Sequence, residues 1–185
     1  MTLHILHEGK HDKAYFEHFL KADLLKKYNC TKLKPFKYTT DASAKKHIKT
    51  IESENGKFLI FSDADFKNIG TPKPKNYKDL HKYLCEKFEI LTNSEKLVFV
   101  VVEEIESWYL AGFDQVFCIK NKVKYHKNTE QVTAEMFKDL RIRPEQTEDQ
   151  FRNWLIFNAK HYSIDHAKTE KRNNSFIIFC DAMGF

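Results

Sequence analysis

The sequence predicts an α/β fold: a three-layer sandwich in which helices cover both faces of a mainly parallel sheet, with a helical C-terminal appendage. Three observations support this prediction. Short apolar runs of strand length alternate with segments whose apolar residues recur at helical spacing. The most apolar run, residues 97–102, is almost entirely Val and Phe, which is typical of a strand covered on both sides. The last third of the chain carries only helical patterns.

The first half of the chain alternates strand and helix. Residues 3–7 are predicted as a strand, and apolar residues over 12–28 recur at helical spacing. A second strand is predicted over 32–40. Asp41 or Ser43 is suited to cap the helix that follows it. The order strand, helix, strand, helix indicates parallel strands joined by right-handed crossovers.

The same alternation continues through the middle of the chain. The apolar run KFLIFSD at 57–63 predicts the third strand, and a helix is predicted over about 77–88 after a loop with Gly and Pro. The strand at 97–102 turns into a helix that carries Trp108, which we expect in the core. Beyond residue 117 the chain is polar and basic, with helical patterns over 134–140, 149–159 and 174–183.

The composition is that of one folded domain, residues 1–185. Hydrophobic residues make up 42% and charged residues 31%, which excludes a disordered chain. The 31 Lys and Arg against 26 Asp and Glu give a net charge of +5, which permits a polyanionic partner. No apolar run approaches the roughly 20 residues that span a bilayer, and no signal peptide is recognisable. We therefore expect a cytoplasmic protein with no membrane partner.

The cysteines give no metal or redox motif. They are far apart and form no C-x-x-C pair, so neither a zinc ribbon nor a redox dithiol is indicated. We expect reduced, mostly packed thiols at Cys30, Cys85, Cys118 and Cys180.

Acidic residues follow three of the predicted strands, at the end where each strand stops. The carboxyl ends of parallel strands meet at one edge of the sheet, where ligands gather. Carboxylates brought together repel one another unless a cation neutralises them, and oxygen-only ligands suit Mg²⁺ or Mn²⁺. The sequence therefore predicts a divalent-metal site at this edge. Its expected ligands are Glu8, Asp63, Asp65, Glu104 and Glu106.

Spacing separates the roles of several of these acids. Gly9 allows the chain to leave the first strand tightly, and Asp12 then serves either as a helix cap or as part of the site. Glu104 and Glu106 are two residues apart and cannot share a helix face. At most one of them faces the site if the helix has already begun, and Glu106 is preferred. His7 and His11 flank the first turn, and we expect surface or supporting roles for both.

The acidic motifs resemble those of the topoisomerase-primase, or Toprim, domain. That domain has a strand ending in E-G-x-x-D and a later strand ending in D-x-D. The segment EEIESWYLAG also resembles the P-E-I-E-x-W-x-L-A stretch of small stand-alone Toprim-like proteins of bacteria and phages, with Glu103 at the proline position. The resemblance covers about residues 3–112, and KRNNSFIIFCDAMGF is more loosely similar to the C-terminal helix of such proteins. The matching motif residues are Glu8, Gly9 and Asp12, then Asp63 and Asp65.

The resemblance implies a Toprim/Rossmann-like fold and an acidic centre that uses Mg²⁺ or Mn²⁺ on phosphodiester bonds of DNA or RNA. The tyrosine domain of a topoisomerase and the zinc module of a primase are not recognised, so we expect a nuclease that acts as an effector in phage defence or in a mobile element. A sensor partner such as an ATPase is implied by the resemblance alone. The aromatic content would allow a homodimer. The expected catalytic residues are Glu8, Asp12, Asp63, Asp65 and Glu106.

Basic residues in the C-terminal part are candidates for contacts with a phosphate backbone. They lie in the loop after residue 120 and shortly before the last helical pattern. For each of them a solvated surface charge is the simpler alternative. The candidates are Lys122, Lys124, Lys127, Lys168, Lys171 and Arg172.

Two other functions remain open at the level of sequence. FLIFSDAD also resembles the strand and aspartyl nucleophile of haloacid-dehalogenase phosphatases, with Asp63 as nucleophile and Asp65 as acid. However, the motif lies in mid-chain, Phe66 stands where Gly normally follows, and Glu8, Gly9 and Asp12 would have no role. The other alternative is a non-catalytic Toprim-like module that binds nucleic acid or a protein partner.

Overall fold

Four parallel strands form one sheet in the computed structural model, which describes residues 1–64, 77–90, 97–140, 143 and 145–185. The predicted α/β fold with a parallel sheet is confirmed for these residues. The strand order is β2-β1-β3-β4. The strands are β1 Thr2–His7, β2 Lys32–Lys37, β3 Lys57–Ala64 and β4 Val98–Val102.

The helices alternate with these strands and then continue alone. A π-helical segment, Phe16–Leu20, joins the first helix to the second, and short 3-10 turns lie at Thr129–Gln131 and Ala159–His161. The α-helices in the described residues are α1 Asp12–Tyr15, α2 Lys21–Tyr28, α3 Asp41–Ser53, α4 Tyr77–Phe88, α5 Ile105–Ala111, α6 Gln115–Lys120, α7 Ala134–Asp139, α8 Glu148–Phe157, α9 Ile164–Thr169 and α10 Asn174–Met183.

Side chains of successive strand residues alternate between two apolar layers, as the pleat of a sheet requires. One layer lies under α3 and α4, and it contains Leu6, Phe58, Ile60, Val98, Val100 and Val102 from the strands. The other layer lies under α2, α5, α8 and α10, and it contains Leu3, Ile5, Leu59, Phe61, Phe99 and Val101. Helices therefore cover both faces of the sheet.

The C-terminal helices complete the second layer. All seven residues of α5 are buried, because these helices lie over it. Trp108 of α5 is fully buried, as predicted, and its Nε1 donates to Ser175 Oγ (3.0 Å). Phe176 and Phe179 of α10 pack against its ring. Burial of each such aromatic side chain contributes about 1.5–3 kcal/mol.

Several boundaries differ from the sequence prediction. The second strand ends at Lys37 because Thr40, in extended backbone, caps α3 and shares a capping box with Ser43. The short helices α6 and α9 were not predicted. Each has six residues, too few for a clear apolar period, and each begins at a polar cap, Asp114 and Ser163 respectively.

The cysteines and the helix lengths agree with the expectations from composition. All four cysteines are free and buried. Among the helices in the described ranges, none has the length and apolar character needed to cross a bilayer.

Candidate functional site

The carboxyl ends of the parallel strands bring the predicted acids to one edge of the sheet. Glu8 directly follows β1, and Asp63 lies near the end of β3, paired in register with Val101 of β4. Glu104 precedes α5, and Glu106 lies in the first turn of that helix. Asp65 lies outside the described residues. We call Glu8, Asp12, Asp63, Glu104 and Glu106 the acidic edge.

Glu8 is held by hydroxyl groups from the elements on both sides of it. Tyr38, which follows β2, donates its hydroxyl to Glu8 Oε1 (2.6 Å). Ser62 of β3 donates its hydroxyl to the same oxygen. Because β1 lies between β2 and β3, these two donors fix the carboxylate in one orientation. Neither contact could be predicted from the sequence.

The turn from Glu8 to Asp12 folds back on itself. The Gly9 backbone N–H donates to Asp12 Oδ2 (3.0 Å), and His7 Nδ1 donates to the Gly9 carbonyl (2.9 Å). A Cβ atom at Gly9 would lie only 2.2 Å from Asp12 Oδ1. Glycine is therefore needed here for close approach. Asp12 is not the cap of α1, because the N-cap residue is His11. Its side chain is buried, and its charge raises the pKa of Asp63, so it lies among the other acids.

Two aspartates in this edge each have a buried carboxylate oxygen: Asp12 is buried as a whole, and Asp63 is half-buried. Burial raises the pKa of Asp12 to about 6, and the nearby carboxylates of Glu106 and Glu8 add to the shift. Burial also raises the pKa of Asp63 well above its ordinary value, and repulsion from Asp12, Glu104, Glu8 and Glu106 raises it further. Within the described residues, neither Asp12 Oδ1 nor Asp63 Oδ1 has a hydrogen-bond partner.

Glu104 and Glu106 both lie close enough to Asp63 to affect its pKa. The helix begins at Ile105, so Glu104 has extended backbone and does not compete with Glu106 for a helix face. The expectation that only one of them faces the site assumed that the helix began earlier. Both carboxylates raise the pKa of Asp63, and the effect of Glu104 is the larger.

Glu106 forms a buried ion pair with Arg152 of α8. Arg152 Nε donates to Glu106 Oε1 at 2.7 Å, and its Nη2 lies 2.5 Å from the same oxygen. Its remaining donors contact Asp149 (3.0 Å) and Glu148 (3.3 Å). Sequence reasoning missed this residue. The one sequence feature that could have identified Arg152 is its position between Phe151 and Leu155, next to the apolar face of a predicted helix.

The two flanking histidines occupy different environments. His7 is 2% exposed, and burial lowers its pKa. It is therefore a buried supporting residue. His11 is partly exposed, with Nε2 3.7 Å from Asp149 Oδ1. Burial lowers the pKa of His11, and the charge of Arg152 lowers it further.

The predicted basic residues divide into two groups. Lys122, Lys124, Lys127 and Lys171 are exposed. Lys168 pairs with Asp181 (2.8 Å) and donates to the Phe185 carbonyl (2.6 Å), so it holds the end of α10.

Arg172 is placed differently from the expectation. It is 1% exposed, and its guanidinium donates to the backbone carbonyls of Leu110, Ala111, Phe113 and His126. These bonds satisfy the carbonyls at the end of α5. Because Arg172 is buried and its donors are used by backbone carbonyls, it has a structural role and does not supply the expected phosphate contact.

Comparison of the chain with protein-family models, with curated proteins and with solved structures finds no match. The acidic edge itself therefore carries what can be inferred about function.

The donors of the acidic edge suit a hard divalent cation. All of them are carboxylate oxygens, the ligands that Mg²⁺ and Mn²⁺ prefer. The unpartnered oxygens of Asp12 and Asp63 are groups that a cation would satisfy. In the ranges that the structure describes, no three His, Cys, Asp or Glu side chains form a ready-made metal site. Asp65, the second acid of the D-x-D motif, is not among those residues.

Proposed function

We propose that this protein is a Mg²⁺- or Mn²⁺-dependent nuclease that cleaves phosphodiester bonds in DNA or RNA. One observation carries the proposal. Asp12 and Asp63 each leave a buried oxygen unpartnered, in a cluster whose like charges raise both pKa values. Such a cluster is unfavourable until a cation enters it. The E-G-x-x-D and D-x-D motifs, which resemble those of Toprim nucleases, supply these same two aspartates.

Glu8, Asp63, Asp65 and Glu104 are the residues that we propose would hold the metal. Tyr38 and Ser62 keep Glu8 in place for this role, so little side-chain freedom is lost on binding. When bound, the ion would stabilise charge on the scissile phosphate and favour ionisation of the attacking water. Asp12, fixed by the Gly9 N–H, would accept a proton or orient a water at its free Oδ1.

Glu106 has a different role in this proposal. Its charge is already neutralised by Arg152, so a metal would have to compete with a buried guanidinium for it. We therefore assign Glu106 and Arg152 to support of the neighbouring aspartates. The pair also connects α8 to α5, and it thereby ties the C-terminal helices to the acidic edge.

The substrate backbone would extend toward the basic loop that follows residue 120 and contains Lys122, Lys124 and Lys127. Lys124 and Lys127 project from the loop that Arg172 fixes at the C-terminal end of α5, and Lys171 precedes Arg172. The acidic residues lie at the N-terminal end of α5. This helix has seven residues and is about 10 Å long, which is the length of about three successive phosphates in one strand of a duplex.

The proposal is tested with plasmid DNA, single-stranded DNA, total RNA and tRNA in Mg²⁺ or Mn²⁺. The isosteric variants Glu8→Gln and Asp63→Asn are compared with the wild type and with Glu52→Ala, a control at an exposed position of α3. We expect cleavage by the wild type and by the control, and a loss of at least about a hundredfold in both site variants. Circular dichroism shows whether each variant is folded.

Metal binding is measured on the same proteins by calorimetry with Mn²⁺. Binding without cleavage of any nucleic acid would contradict a nuclease active on its own and favour an effector that awaits a partner such as an ATPase. If the protein neither binds Mn²⁺ nor cleaves any nucleic acid, the proposed metal site is contradicted. Hydrolysis of a phosphate monoester, lost in Asp63→Asn, would favour the phosphatase alternative.

The free cysteines are consistent with the cytoplasmic location that we propose for this activity.

A further inference from the structure

A cavity of about 590 Å³ lies between α2, α9 and the residues that follow α10. Its volume falls in the range of about 300–1,000 Å³ that is usual for small-molecule sites. None of the acidic-edge residues lines it. The cavity includes the end of α2, which leads into the start of β2, so it lies toward the opposite edge of the sheet. The nuclease proposal gives it no role.

Three aromatic side chains, Phe19, Tyr162 and Phe185, contribute to its walls. The rings of Phe19 and Tyr162 meet edge to face with centroids 4.8 Å apart. The Tyr162 hydroxyl donates to the Trp108 carbonyl (2.8 Å) and accepts from the Tyr15 hydroxyl (2.8 Å). These bonds attach the wall to the core, so the cavity is preformed.

The third aromatic wall is fixed by backbone contacts. Gly184 adopts a left-handed conformation (φ 72°) at the end of α10, which turns Phe185 back toward the helix. The Phe185 N–H donates to the Cys180 carbonyl (3.0 Å), and its own carbonyl accepts from Lys168. The Phe185 ring packs against Phe179, with centroids 5.8 Å apart.

Charged groups of both signs complete the lining. Lys26 and Lys27 come from the last turn of α2, with Asp23 one turn earlier, and Asp165 comes from α9. Lys27 Nζ lies 3.4 Å from the point where a Cβ of residue 184 would be. None of these four side chains forms an ion pair within 4.0 Å with another residue of the described ranges. Their charges are therefore available to a ligand.

We propose that this cavity binds a mononucleotide. The aromatic walls suit a planar base, because any of the nucleic-acid bases can stack on such rings. The two adjacent lysines suit a phosphate, because hydrogen bonds between ammonium groups and phosphate oxygens are strengthened by charge. Asp165 would accept a hydrogen bond from the sugar or from an amino group of the base. A phosphate without a base, or a base without a phosphate, would use only half of this lining.

The test is isothermal titration of the whole chain with AMP, ATP, adenosine and inorganic phosphate, in EDTA so that the acidic edge holds no metal. We expect AMP or ATP to bind more tightly than either fragment. The double variant Lys26→Ala/Lys27→Ala should bind the nucleotides at least about tenfold more weakly and leave adenosine unchanged. Lys78→Ala/Lys82→Ala, which removes the same charge from exposed positions of α4, is the control and should bind normally.

Two further variants protect the test against misfolding and against binding elsewhere. Phe185→Leu keeps an apolar wall but removes the ring, so it should weaken binding of both nucleotides and adenosine. Asp63→Asn abolishes the proposed metal site but should leave the affinity for AMP, ATP and adenosine as in the wild type, because none of the acidic-edge residues lines the cavity. The proposal is overturned if no nucleotide binds at millimolar concentration, if the lysine variant binds as the wild type does, or if binding depends on Asp63. Each of these results is independent of whether the chain cleaves nucleic acid.

Discussion

Arg152 Nη2 lies 2.5 Å from Glu106 Oε1, and the two side chains are only 8% and 5% exposed. A buried ion pair of this kind is costly to break, because removing one partner leaves the other charge in a poorly solvated environment. It also connects helix α8, from the C-terminal third of the chain, to the helix that follows β4. The stability of the acidic edge therefore depends on a residue 46 positions away from Glu106.

Removal of this arginine should destabilise the protein strongly. We expect Arg152→Met to lower the free energy of unfolding by about 3–5 kcal/mol, measured by urea denaturation. The double variant Arg152→Met/Glu106→Gln should recover much of that loss, because no charge is left unpaired. The control is Lys45→Met, which breaks the exposed pair with Glu89 and should cost less than about 1 kcal/mol. Equal losses in the single and double variants would contradict this account.

Neutralisation of Asp12 should stabilise the protein in the absence of metal. Its carboxyl has an ordinary pKa of 3.8 and a folded pKa of about 6. Ionisation is therefore less favourable in the fold, and stability is lost as pH rises from about 4 to about 6 and stays lost above it. Asp12→Asn keeps the acceptor for the Gly9 N–H and removes the charge. At pH 7 it should gain up to about 3 kcal/mol in EDTA.

The same gain should vanish near pH 3, below the unfolded pKa of 3.8, where Asp12 is largely protonated in both the folded and the unfolded state. Urea denaturation at the two pH values measures the difference. Saturating Mn²⁺ should reverse the order of stability at pH 7, because the wild type would then bind the cation more tightly. If Asp12→Asn is less stable than the wild type at pH 7 in EDTA, the raised pKa of Asp12 in the folded state is contradicted.

Substitution of Gly9 should move the Asp12 carboxylate without unfolding the chain. A Cβ in Gly9→Ala would lie 2.2 Å from Asp12 Oδ1, and the side chain can rotate away more easily than the backbone can shift. We expect nuclease activity to fall as far as in Asp12→Ala, with a loss of stability of about 1 kcal/mol from the broken hydrogen bond. The double variant Gly9→Ala/Asp12→Ala removes the clash and should have the activity of Asp12→Ala alone. Full activity in Gly9→Ala would rule out a role for the folded-back carboxylate.

The hydroxyl of Tyr38 should matter for activity more than for stability. Tyr38→Phe removes one of the two donors to Glu8 Oε1 while the ring keeps its contact with Phe88. Cleavage should slow by about tenfold, because Glu8 becomes less well positioned. The free energy of unfolding should change by only about 1 kcal/mol. Tyr83→Phe, at a ring that is 46% exposed, is the control and should change neither quantity.

The parallel sheet and the edge at which the acids meet could both be predicted from the sequence. Both follow from local features: the apolar runs that become β1, β3 and β4, the helical spacing between them, and the acids directly after the strands. Side-chain direction alternates along a strand and strand ends coincide in a parallel sheet, so these features fix positions without knowledge of distant contacts. Trp108 was assigned to the core on a different ground, because large aromatic side chains usually anchor the packing of the interior.

The groups that surround those acids could be identified only from the folded arrangement of the chain. The hydroxyls of Tyr38 and Ser62 on Glu8, the pairing of Arg152 with Glu106, and the burial of Arg172 all join residues far apart in the chain. Polar side chains such as these look alike in sequence whether they face water or the interior. Their partners are set by how the C-terminal helices pack on α5, and that packing depends on contacts between elements rather than on the period of any one of them.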